Sequence, residues 1–230
     1  MRAPLSIVIP TLNAAGSLQG TLPVLTEGLS AGLVRELILS DGGSEDATQR
    51  IGEEAGAIFL FGPPSRGRQL QAGADAASGA WLLFLHADTV LSPGWSKTVL
   101  DHLGNADCAG YFRLRFAARG AAPKLVAGWA NVRSRVFGLP YGDQGLLVSR
   151  ALLDSIGGYL DIPLMEDVAM ARALKGRLTP LPVVATTSAD RYLREGWLRR
   201  GAGNLITLCR YLTGSDPEVL ARSYNQGRAD

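Results

Sequence analysis

The sequence has few of the residues on which several protein classes depend. Only two of its 230 residues are cysteines, Cys108 and Cys209, and neither has a Cys or His neighbour at metal-ligand spacing. A disulfide scaffold and a cysteine-based zinc site are therefore excluded, and we expect reduced thiols in a cytoplasmic protein. The longest apolar runs, 5–9 and 80–85, are far shorter than the ~20 residues that cross a bilayer, and we expect no secretory signal.

Charge is sparse and nearly balanced. Charged residues make up 19% of the chain, and 23 Lys and Arg stand against 21 Asp and Glu. A net charge of +2 is too small to hold nucleic acid by bulk electrostatics, so we expect no nucleic-acid partner. Residues 1–115 carry 8 basic and 11 acidic side chains, whereas residues 116–230 carry 15 and 10. An acidic-leaning first half thus precedes a basic second half.

The first hundred residues alternate short apolar runs with segments of helical spacing. Near-continuous apolar strands separated by helices predict an α/β fold with a doubly wound, mostly parallel sheet and helices on both faces. Hydrophobic residues make up 47% of the chain, enough for a large core, and no linker interrupts it, so we expect a single domain over 1–230. The predicted strands are 5–9, 36–40, 57–61 and 81–85, and the predicted helices are 17–31, 46–55, 68–77 and 93–103.

The second half is less regular. Residues 111–116 alternate apolar and basic side chains, which predicts a half-exposed antiparallel strand. A glycine-rich turn at 141–145 precedes a short apolar run. The remaining predicted elements are helices at 121–137, 165–175 and 198–212, and strands at 146–148 and 181–185.

Polar or glycine-rich segments follow each of the four predicted parallel strands. In such sheets ligands bind outside the carboxyl ends of the strands, so a site is expected there. In Asp41-Gly42-Gly43-Ser44 the glycines allow close approach of a ligand, and Asp41 can accept a hydrogen bond from a base N–H or a ribose hydroxyl. An ordinary turn with an Asx cap is the alternative.

His86-Ala87-Asp88 follows the fourth strand. Side chains at i and i+2 share a face when the chain is extended, so His86 and Asp88 can converge on one divalent cation. Imidazole with carboxylate suits Mn²⁺ somewhat better than Mg²⁺. The alternative is a helix-capping Asp beside a hydrogen-bonded His.

Taken in order, these segments resemble the nucleotide-sugar half of family 2 glycosyltransferases, which have the GT-A fold. Residues 6–13, 36–48 and 84–89 are similar to that family's opening motif, second motif and DxD segment. The likeness is greatest to the small stand-alone subgroup described as "transferase 2, rSAM/selenodomain-associated", which shares Arg66-Gly67-Arg68-Gln69, the His-Ala-Asp form and Tyr141-Gly142-Asp143-Gln144-Gly145. Ser40 and His86 depart from the Asp that the family often has at these positions.

The resemblance implies an inverting transfer of a sugar from a nucleotide-diphosphate sugar, most often a UDP-sugar, to an acceptor hydroxyl. It implies that Asp167 is the base, that Glu166 is a supporting or acceptor-binding carboxylate, and that Mn²⁺ or Mg²⁺ bridges the diphosphate on Asp88 and His86. Asp143 and Gln144 would bind the acceptor. The donor nucleotide would be bound by Pro10, Thr11, Asn13, Asp41, Gly43, Arg66, Arg68, Ala87 and Asp88.

Each implied role has a plainer alternative. Arg66 and Arg68 fit a solvated loop, Glu166 and Asp167 fit acids at a helix N-terminus, and the 141–145 segment fits a turn without substrate contact. At the level of function, a sugar-nucleotide nucleotidyltransferase and a nucleotide-binding scaffold without catalysis are the alternatives. The first of these lacks support, because residues 11–17 contain no Arg or Lys to hold a triphosphate.

The predicted halves are 1–105 for the nucleotide sugar and 106–195 for the acceptor and base, followed by a helical segment at 196–230. Apolar residues among arginines between 197 and 212 fit weak peripheral contact with an anionic membrane, at the inner face for a cytoplasmic protein. Packing of that helix on its own domain is the commoner role. The residues identify neither the acceptor nor the oligomeric state.

Overall fold

A computed structural model describes residues 3–226. Residues 1–2 and 227–230, which belong to the predicted domain 1–230 and to its C-terminal segment, lie outside the described residues. The strands of the described chain are β1 (Leu5–Thr11), β2 (Val34–Asp41), β3 (Ile58–Phe61), β4 (Trp81–Phe84), β5 (Thr89–Leu91), β6 (Ala109–Phe116), β7 (Leu146–Ser149) and β8 (Leu178–Thr187). They form one eight-stranded sheet in the order β3-β2-β1-β4-β7-β6-β8-β5.

The first four strands make the parallel part of the sheet. β1 lies between β2 and β4 and is parallel to both, and β3 is parallel to β2. Alternate side chains of β1 enter different cores, since Ile7 and Ile9 pack on one face and Val8 on the other. Both faces of the sheet are covered, which confirms the predicted α/β fold with helices on both sides.

The helices divide between these two faces. Leu18 of α1 and Trp95 of α4 pack on the Ile7 side, whereas Leu70 of α3 and Met170 of α7 pack on the Val8 side. No helix of the part described is long and apolar enough to cross a membrane. The helices are α1 (Ala15–Ser30), α2 (Thr48–Glu54), α3 (Arg66–Ala76), α4 (Trp95–His102), α5 (Ala121–Phe137), α6 (Arg150–Ser155), α7 (Glu166–Ala173), α8 (Asp190–Glu195), α9 (Trp197–Leu212) and α10 (Pro217–Gln226).

The second half makes the sheet mixed. β7 is antiparallel to β4, β6 is antiparallel to β7 and parallel to β8, and β5 is antiparallel to β8. The predicted strand at 111–116 is confirmed and Arg113 and Arg115 are exposed, but one of its two neighbours is parallel. The sequence did not predict β5, α6 or α8, because three to six residues carry too little periodicity to identify them, and it assigned α10 no bounds of its own within the helical segment 196–230.

Candidate functional site

The carboxyl ends of the parallel strands are tied to one another. The Gly42 amide donates to the Thr11 carbonyl at 2.9 Å, and the Leu85 amide donates to the Val8 carbonyl at 3.0 Å. The buried Gln69 side chain from α3 then donates to the carbonyls of Thr11 (2.8 Å) and Ser40 (2.7 Å). The polar segments therefore share one edge, as predicted.

The carboxylate of Asp41 organises the loop after β2. It is 1% exposed and accepts hydrogen bonds from Thr11 Oγ1 at 2.8 Å and Ser44 Oγ at 2.5 Å. The amides of Gly43 and Ser44 donate to its other oxygen at 2.8 and 2.6 Å. These four hydrogen bonds occupy both oxygens, so Asp41 shapes this loop, and its contact with a nucleobase stays a prediction.

Asn13 joins the β1 loop to the β2 loop. Its backbone is left-handed, with φ of 49°, and its amide donates to Ser44 Oγ at 2.7 Å. Its side-chain oxygen accepts from the Glu45 amide at 2.9 Å. Asn tolerates this conformation better than most residues, which explains its presence at this turn. Pro10, one position before Thr11, is half-buried.

Arg66 and Arg68 lie in the first turn of α3, so this helix begins two residues earlier than predicted. The Arg66 guanidinium stands 3.7 Å from a Glu166 oxygen. Arg68 instead forms a fork with Asp161, with Nη2 2.6 Å and Nε 3.1 Å from Oδ2. The structure thus directs Arg66 toward the acids of α7 and pairs Arg68 with an exposed acid on the rim.

His86 and Asp88 are not in an extended segment, which corrects the prediction that they share a face. The Thr89 amide donates to the His86 carbonyl at 3.1 Å and closes a turn, so that β5 can reverse and pair with β8. The His86 ring lies against Gly142, where an added Cβ would come within 2.4 Å of Nε2. Burial, with the charges of Arg66 and Arg191, holds the pKa of His86 well below its usual value, so the imidazole is neutral.

Asp88 borders a cleft at this edge. The cleft has a volume of about 440 Å³ and is also lined by Asn13 and Ser17 of the β1 loop and by Thr186 and Asp190. His86 is not among its lining residues. Ala87, between His86 and Asp88 in the sequence, is fixed by a hydrogen bond, since its carbonyl accepts from Thr21 Oγ1 at 2.7 Å.

The 3₁₀ turn Gly142–Gln144 is fixed from below by Gln144. This side chain is fully buried, donates to the Phe112 carbonyl at 3.0 Å and accepts from Ser134 Oγ at 2.5 Å. In this structure Gln144 therefore anchors the turn, and its predicted contact with an acceptor stays a prediction.

Arg133 of α5 also supports this turn, and the sequence did not single it out. It is 7% exposed, donates from Nε to the Leu139 carbonyl at 2.9 Å, and lies 3.3 Å from the centre of the Tyr141 ring. Burial raises the pKa of Tyr141 to about 12. The sequence signal was the spacing of Ala127, Ala130 and Ser134, which marks the buried face of α5 beside Arg133.

The acids of α7 begin the helix at a strained position. Met165, which precedes them, has φ of 68°, a conformation that costs a residue with a Cβ free energy. Glu166 is 3% exposed, and burial together with the charge of Asp167 raises its pKa to about 7. Asp167 is half-buried and accepts from the amides of Gly142 (3.0 Å) and Val168 (2.7 Å), which leaves each oxygen a further lone pair.

The charges of two other acids, Asp88 after β4 and Asp167 at the start of α7, act on the carboxyl group of Asp143. Burial raises its pKa to about 6, Arg133 opposes the rise, and the charges of Asp167 and Asp88 add to it. Its Oδ1 atom is buried and has no hydrogen-bond partner in the described part of the chain. Asp88 at the strand edge and Asp167 at the helix start thus act on the same carboxyl group, although Asp167 borders a separate, small cavity of about 20 Å³.

The predicted metal ligands, Asp88 and His86, could hold a divalent cation only if a bound ligand supplied further oxygen atoms. Within residues 3–226, no three His, Cys, Asp or Glu side chains are grouped so that they could enclose a metal ion. A cation on a nucleotide diphosphate needs only one or two protein carboxylates, because phosphate oxygens and water complete its shell. Asp88 on the open cleft meets that requirement, whereas the His86 ring lies outside this cleft.

Known proteins with similar sequences include glycosyltransferases. The model of the family "Glycosyl transferase family 2" matches residues 6–135. The "PGL/p-HBAD biosynthesis glycosyltransferases" of Mycobacterium bovis BCG and Mycobacterium tuberculosis H37Ra are each 38% identical over 106 residues, covering 40% of this chain. The match spans 38% of the length of these curated relatives.

Solved structures with the same fold are glycosyltransferases of GT-A type. S. aureus TarS 1–349 has a TM-score of 0.61 at 17% identity, over 89% of this chain and 64% of that one. Glucosyl-3-phosphoglycerate synthase from Mycobacterium tuberculosis, solved with Mn²⁺, UDP and glucosyl-3-phosphoglycerate, has a TM-score of 0.58 at 21% identity, over 81% of this chain and 70% of that one. At such identities the likeness shows the GT-A fold.

Proposed function

Because this chain belongs to glycosyl transferase family 2, we propose that it moves a sugar from a nucleotide-diphosphate sugar, of which a UDP-sugar is the preferred candidate, to an acceptor hydroxyl with inversion. One observation carries the assignment of its site. Asp88 at the donor edge and Asp167 at the start of α7 both act on the buried carboxyl of Asp143. This electrostatic coupling through Asp143 supports the assignment of the two acids to one site.

Asp167 is the proposed base. Inversion requires a carboxylate that removes the acceptor's proton while the hydroxyl oxygen attacks the anomeric carbon and the bond to the diphosphate breaks. The amides of Gly142 and Val168 hold the Asp167 carboxylate and keep it oriented. Glu166 is buried beside it, and its raised pKa of about 7 leaves it partly protonated at neutral pH, which limits repulsion between the two acids.

Asp88 would hold a divalent cation, Mn²⁺ or Mg²⁺, that supplies Lewis-acid stabilisation of the charge on the departing diphosphate. Arg66, near the same edge, adds positive charge beside Glu166. The loops of Asn13 and Asp41 border the donor side of the cleft. Asp143 is the proposed acceptor-side carboxyl group, because its Oδ1 has no hydrogen-bond partner within residues 3–226.

Calorimetric titration with UDP, with and without Mn²⁺, tests donor binding. We expect Mn²⁺ to strengthen UDP binding and Asp88→Ala to remove that gain, while Asp107→Ala, an exposed loop acid, leaves it intact. If the wild-type chain binds UDP under neither condition, the proposal of a UDP-sugar donor is wrong.

Release of UDP from UDP-sugars tests the base. Asp167→Asn should leave UDP affinity within about twofold and lower the release rate by about 10²-fold or more, the usual contribution of a general base. Asp154→Asn, an exposed acid on α6, is the matched control and should leave the rate unchanged. A normal rate in Asp167→Asn would refute the assignment.

A further inference from the structure

Helix α5 turns an apolar stripe toward solvent. Leu125, Trp129, Val132 and Val136 recur at spacings of three and four residues, so they lie on one side of the helix. Their exposures are 74%, 51%, 50% and 66%. A stripe of this kind on a folded domain marks a surface that another apolar surface covers. We call these four residues the α5 stripe.

The chain segment that contains the α5 stripe carries only positive charge. Lys124 and Arg135 are exposed on the same helix, and Arg119 precedes it. Residues 108–142 contain no Asp or Glu. A second copy of this surface would bring like charges together, whereas an anionic surface would neutralise them.

Helix α9 packs against α5 and likewise combines exposed apolar side chains with exposed basic ones. Residues 197–212 contain no acid, and Arg199 and Arg210 are exposed. Leu198 and Ile206 on this helix are 87% and 59% exposed. The basic helix predicted from the sequence is therefore joined by a second helix of the same kind.

We propose that the α5 stripe, with the exposed apolar side chains of α9, binds the surface of an anionic lipid bilayer. Cationic amphipathic helices lie in the headgroup region with their apolar side chains in the acyl boundary, and the cations meet anionic headgroups. Trp129 lies within the stripe, and Trp is enriched at this depth. The contact is peripheral.

Buried residues of the same helix support the candidate active site. Arg133 holds the Leu139 carbonyl and covers the Tyr141 ring, and Ser134 donates to the Gln144 side chain. A bilayer bound by α5 would lie next to the turn that carries Asp143. If the proposed glycosyl transfer is correct, on which this step rests, the acceptor is a lipid-borne hydroxyl.

Sedimentation with vesicles tests the surface on the full chain. Phosphatidylcholine vesicles are compared with vesicles that contain phosphatidylglycerol, and we expect strong binding only to the second kind. Lys124→Gln with Arg135→Gln should lower the partition coefficient by about 30-fold at low salt. Leu125→Ser, Trp129→Ser and Val136→Ser together should lower it by at least about tenfold.

A matched control variant carries Ser in place of Leu29, Phe61 and Leu100, which are 58%, 70% and 44% exposed and lie outside the α5 stripe. It should bind vesicles as the wild type does. Circular dichroism confirms that each variant is folded. Equal binding to the two kinds of vesicle, or unchanged binding of the stripe variant, overturns the proposal. So does light scattering that shows a wild-type dimer which the stripe variant dissociates, because a second copy would then cover the stripe.

UDP titration of the same variants separates the two proposals. The stripe and charge variants should bind UDP with unchanged affinity, because none of their residues borders the donor cleft. A wild-type chain that binds vesicles without binding UDP would refute the proposed donor and leave the lipid surface standing.

Discussion

Replacing Glu166 by Gln should stabilise the protein, and more so at high pH. Burial and the charge of Asp167 raise the pKa of Glu166 to about 7, whereas in the unfolded chain it is about 4.3. The unfolded state therefore loses this proton at lower pH than the native state does. The contribution of Glu166 to stability falls as pH rises from about 4.3 to about 7 and is constant above that.

The size of the effect follows from the same two values. Linkage gives a penalty of about 1 kcal/mol at pH 5 and about 3–4 kcal/mol at pH 8, which Gln lacks because it carries no charge. Urea unfolding followed by circular dichroism at both pH values measures the difference. Glu53→Gln, at an exposed position of α2, should change stability by less than about 0.5 kcal/mol at either pH.

Two outcomes would refute this reasoning. An equal change at pH 5 and pH 8 would mean that Glu166 is ionised in the native state as readily as in water. A loss of stability that grows with pH would mean that the Arg66 guanidinium, 3.7 Å away, outweighs burial and the repulsion from Asp167.

Three further predictions concern how the site is supported. Gln144→Leu should lower the free energy of unfolding by about 1–3 kcal/mol in urea titrations, because it strands the buried Phe112 carbonyl, while the Ser134 hydroxyl keeps the Ala130 carbonyl as its partner; a loss below about 1 kcal/mol would contradict the anchoring role. Gly67→Ala should destabilise by about 3 kcal/mol or more, since its Cβ would lie 2.1 Å from the Leu160 carbonyl oxygen, whereas Gly203→Ala in α9, with open space around it, should stabilise by up to about 1 kcal/mol. Arg68→Gln should cost less than about 1 kcal/mol in thermal unfolding, because the pair with Asp161 is exposed; a tenfold loss of UDP affinity in the same variant would support its predicted role at the diphosphate, and unchanged affinity would count against it.

The parallel half of the fold was predictable because its signals are local. Each of the strands β1 to β4 is a continuous apolar run next to a helix, and the rule for parallel sheets places their ends at one edge. The polar segments at that edge, including the loops of Asn13 and Asp41, were found in this way. The contacts within these loops were not predicted, since all four hydrogen bonds that Asp41 accepts come from residues at the same edge of the sheet.

Pairing in the second half was beyond such rules. β5 is three residues long, and it pairs with β8 across about a hundred residues of chain. That pairing makes the chain turn at Ala87 and Asp88, so that the spacing of His86 and Asp88 no longer places them on one face. A spacing argument holds only while the local conformation holds, and here a distant strand sets the conformation.

The electrostatic coupling of the acids in the site could not be predicted from the sequence either. Asp88, Asp143 and Asp167 come from the β4–β5 turn, the 3₁₀ turn and α7, and no sequence spacing relates them. Their proximity has a cost, visible in the raised pKa of Asp143, because burial and two like charges disfavour its ionised form. The electrostatic coupling of these acids, with the buried Oδ1 of Asp143 left without a hydrogen-bond partner within the described residues, favours a functional role over a structural one. The raised pKa of Asp143 is therefore a physical reason to look for substrate beside this carboxyl group, whereas the charge of Arg68 is paired with Asp161 and its role at the diphosphate stays a prediction.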